Sequence, residues 1–199
     1  LGLSENTYVI FTSDNGAVPS IPPKLKPDHN LNKPLQGGKW RLLEGGIRVP
    51  FIVKGPNIVP NTQCDAPVSG IDILPTILDL AGSELLSTKQ ILDGESFADL
   101  LFSGNDAQNI QQFHQRSLTW HYPKFNKWKM AHAESAIRKN GWKLIFSWET
   151  QQRQLYYILA DHKEQFDVSE IEYKLADQLQ KELFDYLQSV GQLVPPKKI

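Results

Sequence analysis

Residues 7–16 read TYVIFTSDNG, and this stretch decides how the first part of the chain folds. Residues 7–12 form a continuous run of β-branched and aromatic side chains. Such a run predicts a strand that is buried on both faces, as in a parallel sheet. The run ends abruptly in a polar turn, SDNG, at residues 13–16. Because ligands bind at the carboxyl ends of strands in open α/β sheets, this turn is well placed for chemistry.

The turn supplies two side chains that carry oxygen donors, Asp14 and Asn15. Carboxylate and amide oxygens suit Ca²⁺ or Mg²⁺, whereas zinc sites prefer His and Cys. The same tetrapeptide is also typical of an Asx turn that ends a strand and binds nothing. The residues alone leave both interpretations open.

The rest of the first part predicts one more strand and a helix. Residues 49–54, VPFIVK, are a second apolar run, and residues 17–38, with five prolines, predict a long surface loop before it. A helix is predicted to begin at the capping residue Asp72 and to end at Gly82. Its apolar stripe consists of Ile73, Leu74, Ile77, Leu78 and Ala81.

The second part of the chain changes character. Asn140-Gly141 separates two strand-like runs in residues 135–147, and this pair is a strong hairpin signal because both residues tolerate positive φ. Further strands are predicted at residues 117–122 and 155–159. A capping box formed by Ser169 and Glu172 would begin a closing helix over residues 171–190. This pattern predicts a small antiparallel sheet with a C-terminal helix.

Composition excludes several classes of protein. The chain has 199 residues, a formal net charge of −1 and a single cysteine, Cys64. Balanced charge predicts no nucleic-acid partner, and the absence of a long apolar run predicts no membrane span. One cysteine excludes an internal disulfide.

Four further polar residues are candidates for function or for structure. Lys39 follows two glycines in LQGGKW, where the backbone can approach a ligand and a compact cation suits a sulfuryl or phosphoryl oxygen. A solvated loop lysine fits the same residues. Glu44 and Arg48 are predicted to pair with each other beside the second strand. His121, in WHYP, is by itself typical of a structural histidine.

Four motifs in register resemble the type I sulfatases, which belong to the alkaline-phosphatase-like superfamily. They are NTYVIFTSDNG at residues 6–16, GGKWRLLEGGIRVPFIVKGP at 37–56, PVSGIDILPTILDLAG at 67–82, and SAIRKNGWKLI with QLYYILADHKE at 135–164. The resemblance implies an α/β fold: a partial alkaline-phosphatase-like sheet at residues 1–105, then an α+β subdomain at residues 106–199. It also implies that the chain is the C-terminal part of such an enzyme.

The resemblance implies roles for the candidate residues. Asp14 and Asn15 match the family's Asp-Asn pair, which binds Ca²⁺, and Lys39 matches the lysine that contacts the sulfate group. His121 is expected in the substrate subsite, since similar W-H-x-P segments occur near the pocket mouth. The formylglycine nucleophile arises from a C/S-x-P-x-R motif, which is expected upstream. Cys64 lacks the Pro and Arg of that motif.

The expected function is therefore hydrolysis of a sulfate ester, on a sulfated small molecule or glycan that the sequence does not identify. Two alternatives stay open: a phosphodiesterase or phosphonate hydrolase of the same superfamily, and a degenerate sulfatase module without catalysis. The phosphodiesterase-type enzymes tend to carry Asp-His at this turn, so Asn15 argues against them.

Resemblance also suggests the setting in which the chain acts. A periplasmic or secreted location is expected, and the N-terminal half of the same protein is the expected partner. Alone, the chain is expected to be inactive, and it should expose an apolar patch on its α/β part or self-associate, because strands with open edges pair readily.

Overall fold

The computed structural model describes residues 2–18, 31–83, 91–104, 106–123 and 132–192. The chain groups into two units, one of residues 1–11 and 51–116 and the other of residues 12–50 and 117–199. Most of the predicted loop at residues 17–38, from 19 to 30, lies outside the described residues. The division into domains at residue 105 stays a prediction.

In its described residues, the first unit contains a two-stranded sheet and three α-helices. Strand β1 (Val9–Thr12) pairs with β2 (Phe51–Lys54). The helices of this unit are α2 (Ile73–Leu80), α3 (Ala98–Ser103) and α4 (Ala107–Gln115). A core cluster of Phe97, Leu100 and Phe113 is joined by half-buried side chains of β2, including Phe51 and Val53.

The prediction that the first strand is buried on both faces is wrong for this structure. Val9 and Phe11 are 55% and 60% exposed, and Ile52 on β2 is 60% exposed. The physical reason is that a sheet face is buried only where another layer packs against it, and these side chains of the two-stranded sheet remain open to solvent. On α2, Leu74 and Ile77 of the predicted apolar stripe are also exposed. The expected exposed apolar surface is therefore present, whereas self-association stays a prediction.

Asp72 occupies the predicted N-cap position of α2, but its side chain makes no capping hydrogen bond in that helix. Ser69 is the capping residue of a short 3-10 turn, and the carboxylate of Asp72 accepts a hydrogen bond from its backbone N–H at 2.6 Å. The same carboxylate forms a salt bridge with Arg116 at 2.5 Å and has no exposed surface. Asp72 thus fastens α2 to the segment after α4, while Gly82, at φ +61°, follows α2 as predicted.

The second unit is built on a four-stranded antiparallel sheet. Its strands β3 (Leu118–Tyr122), β4 (Glu134–Lys139), β5 (Trp142–Ser147) and β6 (Arg153–Tyr157) lie side by side in chain order. The predicted hairpin is confirmed: Lys139 pairs with Trp142, and Asn140 and Gly141 have φ of +51° and +78°. The unit also contains the short helix α1 (Glu44–Ile47).

A long C-terminal helix covers one face of this sheet. Helix α5 (Tyr173–Ser189) buries Ala176, Leu179, Leu183 and Leu187 against the apolar side chains of β4, β5 and β6. The α+β arrangement predicted for the tail is therefore confirmed. The described residues contain no helix that is long and apolar enough to cross a bilayer.

The predicted capping box at the start of this helix is wrong. Glu172 makes no side-chain cap, and Ser169 instead donates its backbone N–H to the carboxylate of Asp167 at 2.9 Å. Asp167 also accepts the backbone N–H of Leu155 at 3.0 Å. Ser169 is therefore held by Asp167, which also bonds to the sheet, and does not cap the helix. The helix begins two residues later than predicted.

A buried salt-bridge cluster connects the segment around α1 to the sheet. Lys143 on β5 has no exposed surface, and its Nζ lies 2.9 Å from Glu44 Oε1 and 2.8 Å from Glu164 Oε1. Glu164 also accepts the backbone N–H of Glu44 at 2.7 Å. The predicted pair of Glu44 and Arg48 is present at 3.8 Å, but the closer partner of Glu44 is Lys143.

The two carboxylates of this cluster respond differently to the same lysine. Burial opposes the charge of Glu44, but Lys143, with Arg138 and Arg48 nearby, holds its pKa below the usual value. For Glu164 burial outweighs the attraction of Lys143, so its pKa is raised. The single buried cation therefore faces two acids, of which Glu44 is the more firmly ionised.

We expect Gly141→Ala to destabilise the chain more than Gly191→Ala. Both glycines have positive φ, which costs an alanine about 1 kcal/mol. A Cβ on Gly141 would lie 2.8 Å from Leu159 Cγ, whereas a Cβ on Gly191 would meet open space. Urea unfolding should therefore give a loss of roughly 2–4 kcal/mol for Gly141→Ala. Equal losses would contradict the observed turn packing.

Lys143→Met should lower the free energy of unfolding by about 3–5 kcal/mol at neutral pH, because it removes the cation that pairs with Glu164 and leaves Glu44 only the more distant Arg48 and Arg138. The matched control is Lys181→Met, which removes an exposed pair with Asp185 and should cost less than about 0.5 kcal/mol. Urea unfolding of both variants measures the difference.

The deficit of Lys143→Met should also depend on pH. Without Lys143, the pKa of Glu164 rises further above the unfolded value of about 4.3, and the pKa of Glu44 loses most of the attraction that lowers it. Groups with raised folded pKa stabilise the folded state at low pH and lose that contribution as pH rises through the folded pKa. The deficit should thus be smallest near pH 4 and grow towards pH 7. A deficit that is constant over this range would contradict a cluster held by charge.

Candidate functional site

Backbone hydrogen bonds hold the GGK loop against the segment that follows β1. The N–H of Lys39 donates to Ala17 O at 3.1 Å, and the N–H of Gly16 donates to Gly46 O at 3.0 Å. The side chain of Asn32 accepts the N–H of Ala17 at 2.8 Å and donates to the carbonyls of Ala17 and Gly37. The backbone of Lys39 is therefore fixed to a residue only two positions beyond Asn15.

Glycines make this close approach possible. A Cβ on Gly16 would lie 1.7 Å from the carbonyl oxygen of Gly45, and one on Gly46 would lie 2.0 Å from that of Arg41. These distances are far inside van der Waals contact, so any side chain at either position would push the two segments apart. Gly16 and Gly46 therefore allow the two backbone segments to lie in direct contact.

Asp14 and Asn15 present oxygen atoms at the end of β1. The side-chain nitrogen of Asn15 donates to Asp14 Oδ1, which leaves Asn15 Oδ1 as a free acceptor. That oxygen is buried and has no hydrogen-bond partner. A buried acceptor without a partner is costly, and a hard cation would satisfy it.

The donor set fits part of a calcium site. Ca²⁺ takes six to eight oxygens, and this turn offers the Asp14 carboxylate and the orphaned Asn15 oxygen. No group of three or more His, Cys, Asp or Glu residues suited to a metal occurs among the described residues. The two residues therefore fit the calcium expected from the sequence, but other ligands must complete the shell.

Lys39 and Trp40 lie at the tip of the GGK loop. Lys39 Nζ lies 5.8 Å from the centroid of the Trp40 ring, a cation–π contact. Trp40 adopts φ +76°, a conformation that a bulky side chain rarely takes. That the side chains of Lys39, Asp14 and Asn15 face one cleft stays a prediction.

A second set of contacts fixes the remainder of the loop to the four-stranded sheet. Arg41 forms a salt bridge with Glu134 at 3.0 Å, and the same carboxylate accepts the N–H of Leu42 at 3.2 Å. Gln36 donates to the carbonyls of Lys163 and Glu164. The loop around Lys39 is therefore held at several points, and sequence reasoning missed each of these long-range contacts.

His121 lies on β3, directly opposite Ser135 on β4. Its Nδ1 is 2.7 Å from Ser135 Oγ, and its Nε2 is buried without a hydrogen-bond partner. Burial lowers the pKa of the imidazole, so the neutral form is favoured. Within the described residues no hydrogen bond joins His121 to Lys39, and its place in the substrate subsite stays a prediction.

Comparison with known proteins shows what the chain is similar to. The family model described as "N-sulphoglucosamine sulphohydrolase, C-terminal" matches residues 38–191. A sulfatase of Formosa agariphila is 32% identical over 168 residues, which are 80% of this chain and 28% of that protein. Steryl-sulfatase of Rattus norvegicus is 43% identical over 103 residues, 51% of this chain and 18% of that enzyme.

Solved structures give the same fold. The crystal structure of Ps i-CgsB has a TM-score of 0.72 and 28% identity, covering 96% of this chain and 38% of that one. The structure of BT4656 in complex with D-glucosamine-2-N,6-O-disulfate has a TM-score of 0.68 at 20% identity, covering 100% and 37%. The chain thus spans well under half the length of these relatives. It belongs to the sulfatase family, as the C-terminal part of a type I sulfatase of alkaline-phosphatase-like fold.

Proposed function

We propose that this chain supplies part of the metal and sulfate site of an enzyme that hydrolyses sulfate esters. The observation that carries the proposal is the hydrogen-bonded contact between the GGK loop and the segment after Asn15. It brings the backbones of the matched lysine and of the matched oxygen ligands together within one unit. The family membership of the chain gives this contact its chemical meaning.

Each residue has a distinct role in this proposal. Asp14 and Asn15 hold Ca²⁺ through their side-chain oxygens, and the buried acceptor of Asn15 is the supporting observation. The bound metal supplies positive charge that stabilises the sulfuryl oxygens. Lys39 contacts a sulfate oxygen and offsets the charge that develops there, as a preorganised cation does.

The nucleophile is proposed to lie upstream of this chain, as a formylglycine. Residues 63–67 read QCDAP, so Cys64 lacks the Pro and Arg spacing of the motif from which formylglycine forms. The relatives that match this chain are several times longer than the matched region, which leaves room for such a motif. In this proposal the chain alone binds part of the substrate without turnover.

The substrate is proposed to be a sulfated small molecule or glycan. Ps i-CgsB, at 28% identity, has been crystallised with k-i-k-neocarrahexaose, which supports a glycan. Other relatives are named steryl-sulfatase and N-acetylglucosamine-6-sulfatase, so the supported class is the sulfate ester rather than one leaving group. A periplasmic or secreted location is part of the same proposal.

In the full-length enzyme, we expect Lys39→Ala to lower kcat/KM for a sulfate ester by roughly 10²–10³-fold, the usual cost of losing one preorganised group at a developing charge. The matched control is Lys181→Ala, which removes an exposed lysine on α5 and should leave kcat/KM unchanged. Steady-state kinetics on an aryl sulfate measures both. Equal effects of the two substitutions would overturn the role of Lys39, and turnover by the isolated chain would overturn the upstream nucleophile.

A further inference from the structure

Three polar side chains of the four-stranded sheet form a chain of hydrogen bonds that the proposed function does not use. Ser135 on β4 has no exposed surface and lies at its centre. His121 Nδ1 on β3 lies 2.7 Å from Ser135 Oγ, and Trp148 Nε1, just after β5, lies 2.7 Å from the same oxygen. All three residues belong to one unit, so the pairing of the strands fixes the geometry of these hydrogen bonds.

Counting donors and acceptors fixes the direction of these bonds. The indole N–H of Trp148 can only donate, so Ser135 Oγ accepts that bond. The buried hydroxyl hydrogen of Ser135 then needs an acceptor, and in the described contacts His121 Nδ1 is the available one. Ser135 therefore donates to Nδ1, and the proton of the neutral imidazole resides on Nε2.

The Nε2–H of His121 is consequently a buried donor. It has no hydrogen-bond partner among the described residues. An unsatisfied buried donor costs free energy that a ligand oxygen would recover on binding. Burial also lowers the pKa of His121, which keeps the ring neutral at neutral pH.

Packing around Trp148 makes the arrangement rigid. Its ring stacks on Phe184 with centroids 5.4 Å apart and meets Phe146 edge to face at 5.0 Å. Its backbone N–H donates to Ala133 O at 2.9 Å. The imidazole of His121 lies nearly perpendicular to the indole, at 88°. The indole therefore holds both the hydroxyl and the imidazole in place.

We propose that Ser135 and Trp148 are positioning residues that fix His121 as the neutral Nε2–H tautomer, ready to donate to an oxygen of a ligand. The tautomer follows from the hydrogen bonds of the sheet alone. The identity of the ligand, a hydroxyl, ether or sulfate oxygen of a sulfated substrate, rests on the proposed function. A neutral donor recognises such an oxygen by direction rather than by charge.

The tautomer is tested by the two-bond ¹⁵N–¹H correlation spectrum of the whole chain labelled with ¹⁵N-histidine. His121→Gln assigns the signal among the five histidines. We expect an unprotonated Nδ1 and a protonated Nε2 at neutral pH. A protonated Nδ1, or a fully charged ring, would overturn the proposal, and this measurement on the unsubstituted chain needs no variant to fold.

Substitutions test the two positioning residues. Ser135→Ala and Trp148→Phe should each move the His121 signal towards a mixture of tautomers. The matched control is Trp142→Phe, because the Trp142 ring packs on Tyr157 and makes no hydrogen bond through its nitrogen in the described contacts. An unmoved signal in both test variants would show that the hydrogen-bond chain does not set the tautomer.

The ligand is tested in the full-length enzyme with a sulfate ester. Ser135→Ala should raise KM about fivefold, the loss expected for one hydrogen bond, and change kcat little. An unchanged KM combined with the predicted spectrum would overturn the donation to substrate. That outcome differs from failure of the proposed function, which the kinetics of Lys39→Ala report separately.

Discussion

The ion cluster of Lys143 with Glu44 and Glu164 is the interaction on which the second unit most depends. A lysine with no exposed surface carries a large desolvation cost, and two carboxylates within hydrogen-bond distance offset it. Since Glu44 begins α1 and Lys143 lies in the sheet, the cluster fixes the loop that carries Lys39. Backbone hydrogen bonds in turn join this loop to the segment after Asn15. The position of the candidate site therefore depends on a buried charge cluster several residues away.

Each of the two units contains a buried ion pair, but the units differ in how much of their apolar surface is covered. In the first unit, Arg116 and Asp72 pair inside the fold, while Val9, Phe11 and Ile52 remain exposed. In the second unit, α5 covers the sheet with four fully or nearly fully buried apolar side chains. Among the described residues, the apolar side chains of β1 and β2 are therefore less well covered than those of the four-stranded sheet.

Sequence reasoning succeeded where the determining interactions are local. The Asn140-Gly141 turn and the apolar face of α5 follow from backbone preference and periodicity, which neighbouring residues alone set. Sequence reasoning failed where a partner distant in the chain determines the contacts of a side chain. Asp72 was predicted as a cap because its neighbours suggest one, but its carboxylate pairs with Arg116, 44 positions along the chain. One of the two partners of Lys143, Glu44, lies 99 positions away, and no local pattern indicates it.

The central claim is that Asp14 and Asn15 are ligands of a divalent cation and that Lys39 binds the sulfate beside it. The most direct measurement is the crystal structure of the full-length enzyme with calcium and a sulfate ester, with the metal identified by anomalous scattering. The account predicts Ca²⁺ at about 2.3–2.6 Å from side-chain oxygens of both residues. It also predicts Lys39 Nζ within about 3 Å of a sulfate oxygen. A metal ion bound elsewhere, or zinc at this turn, would contradict the account.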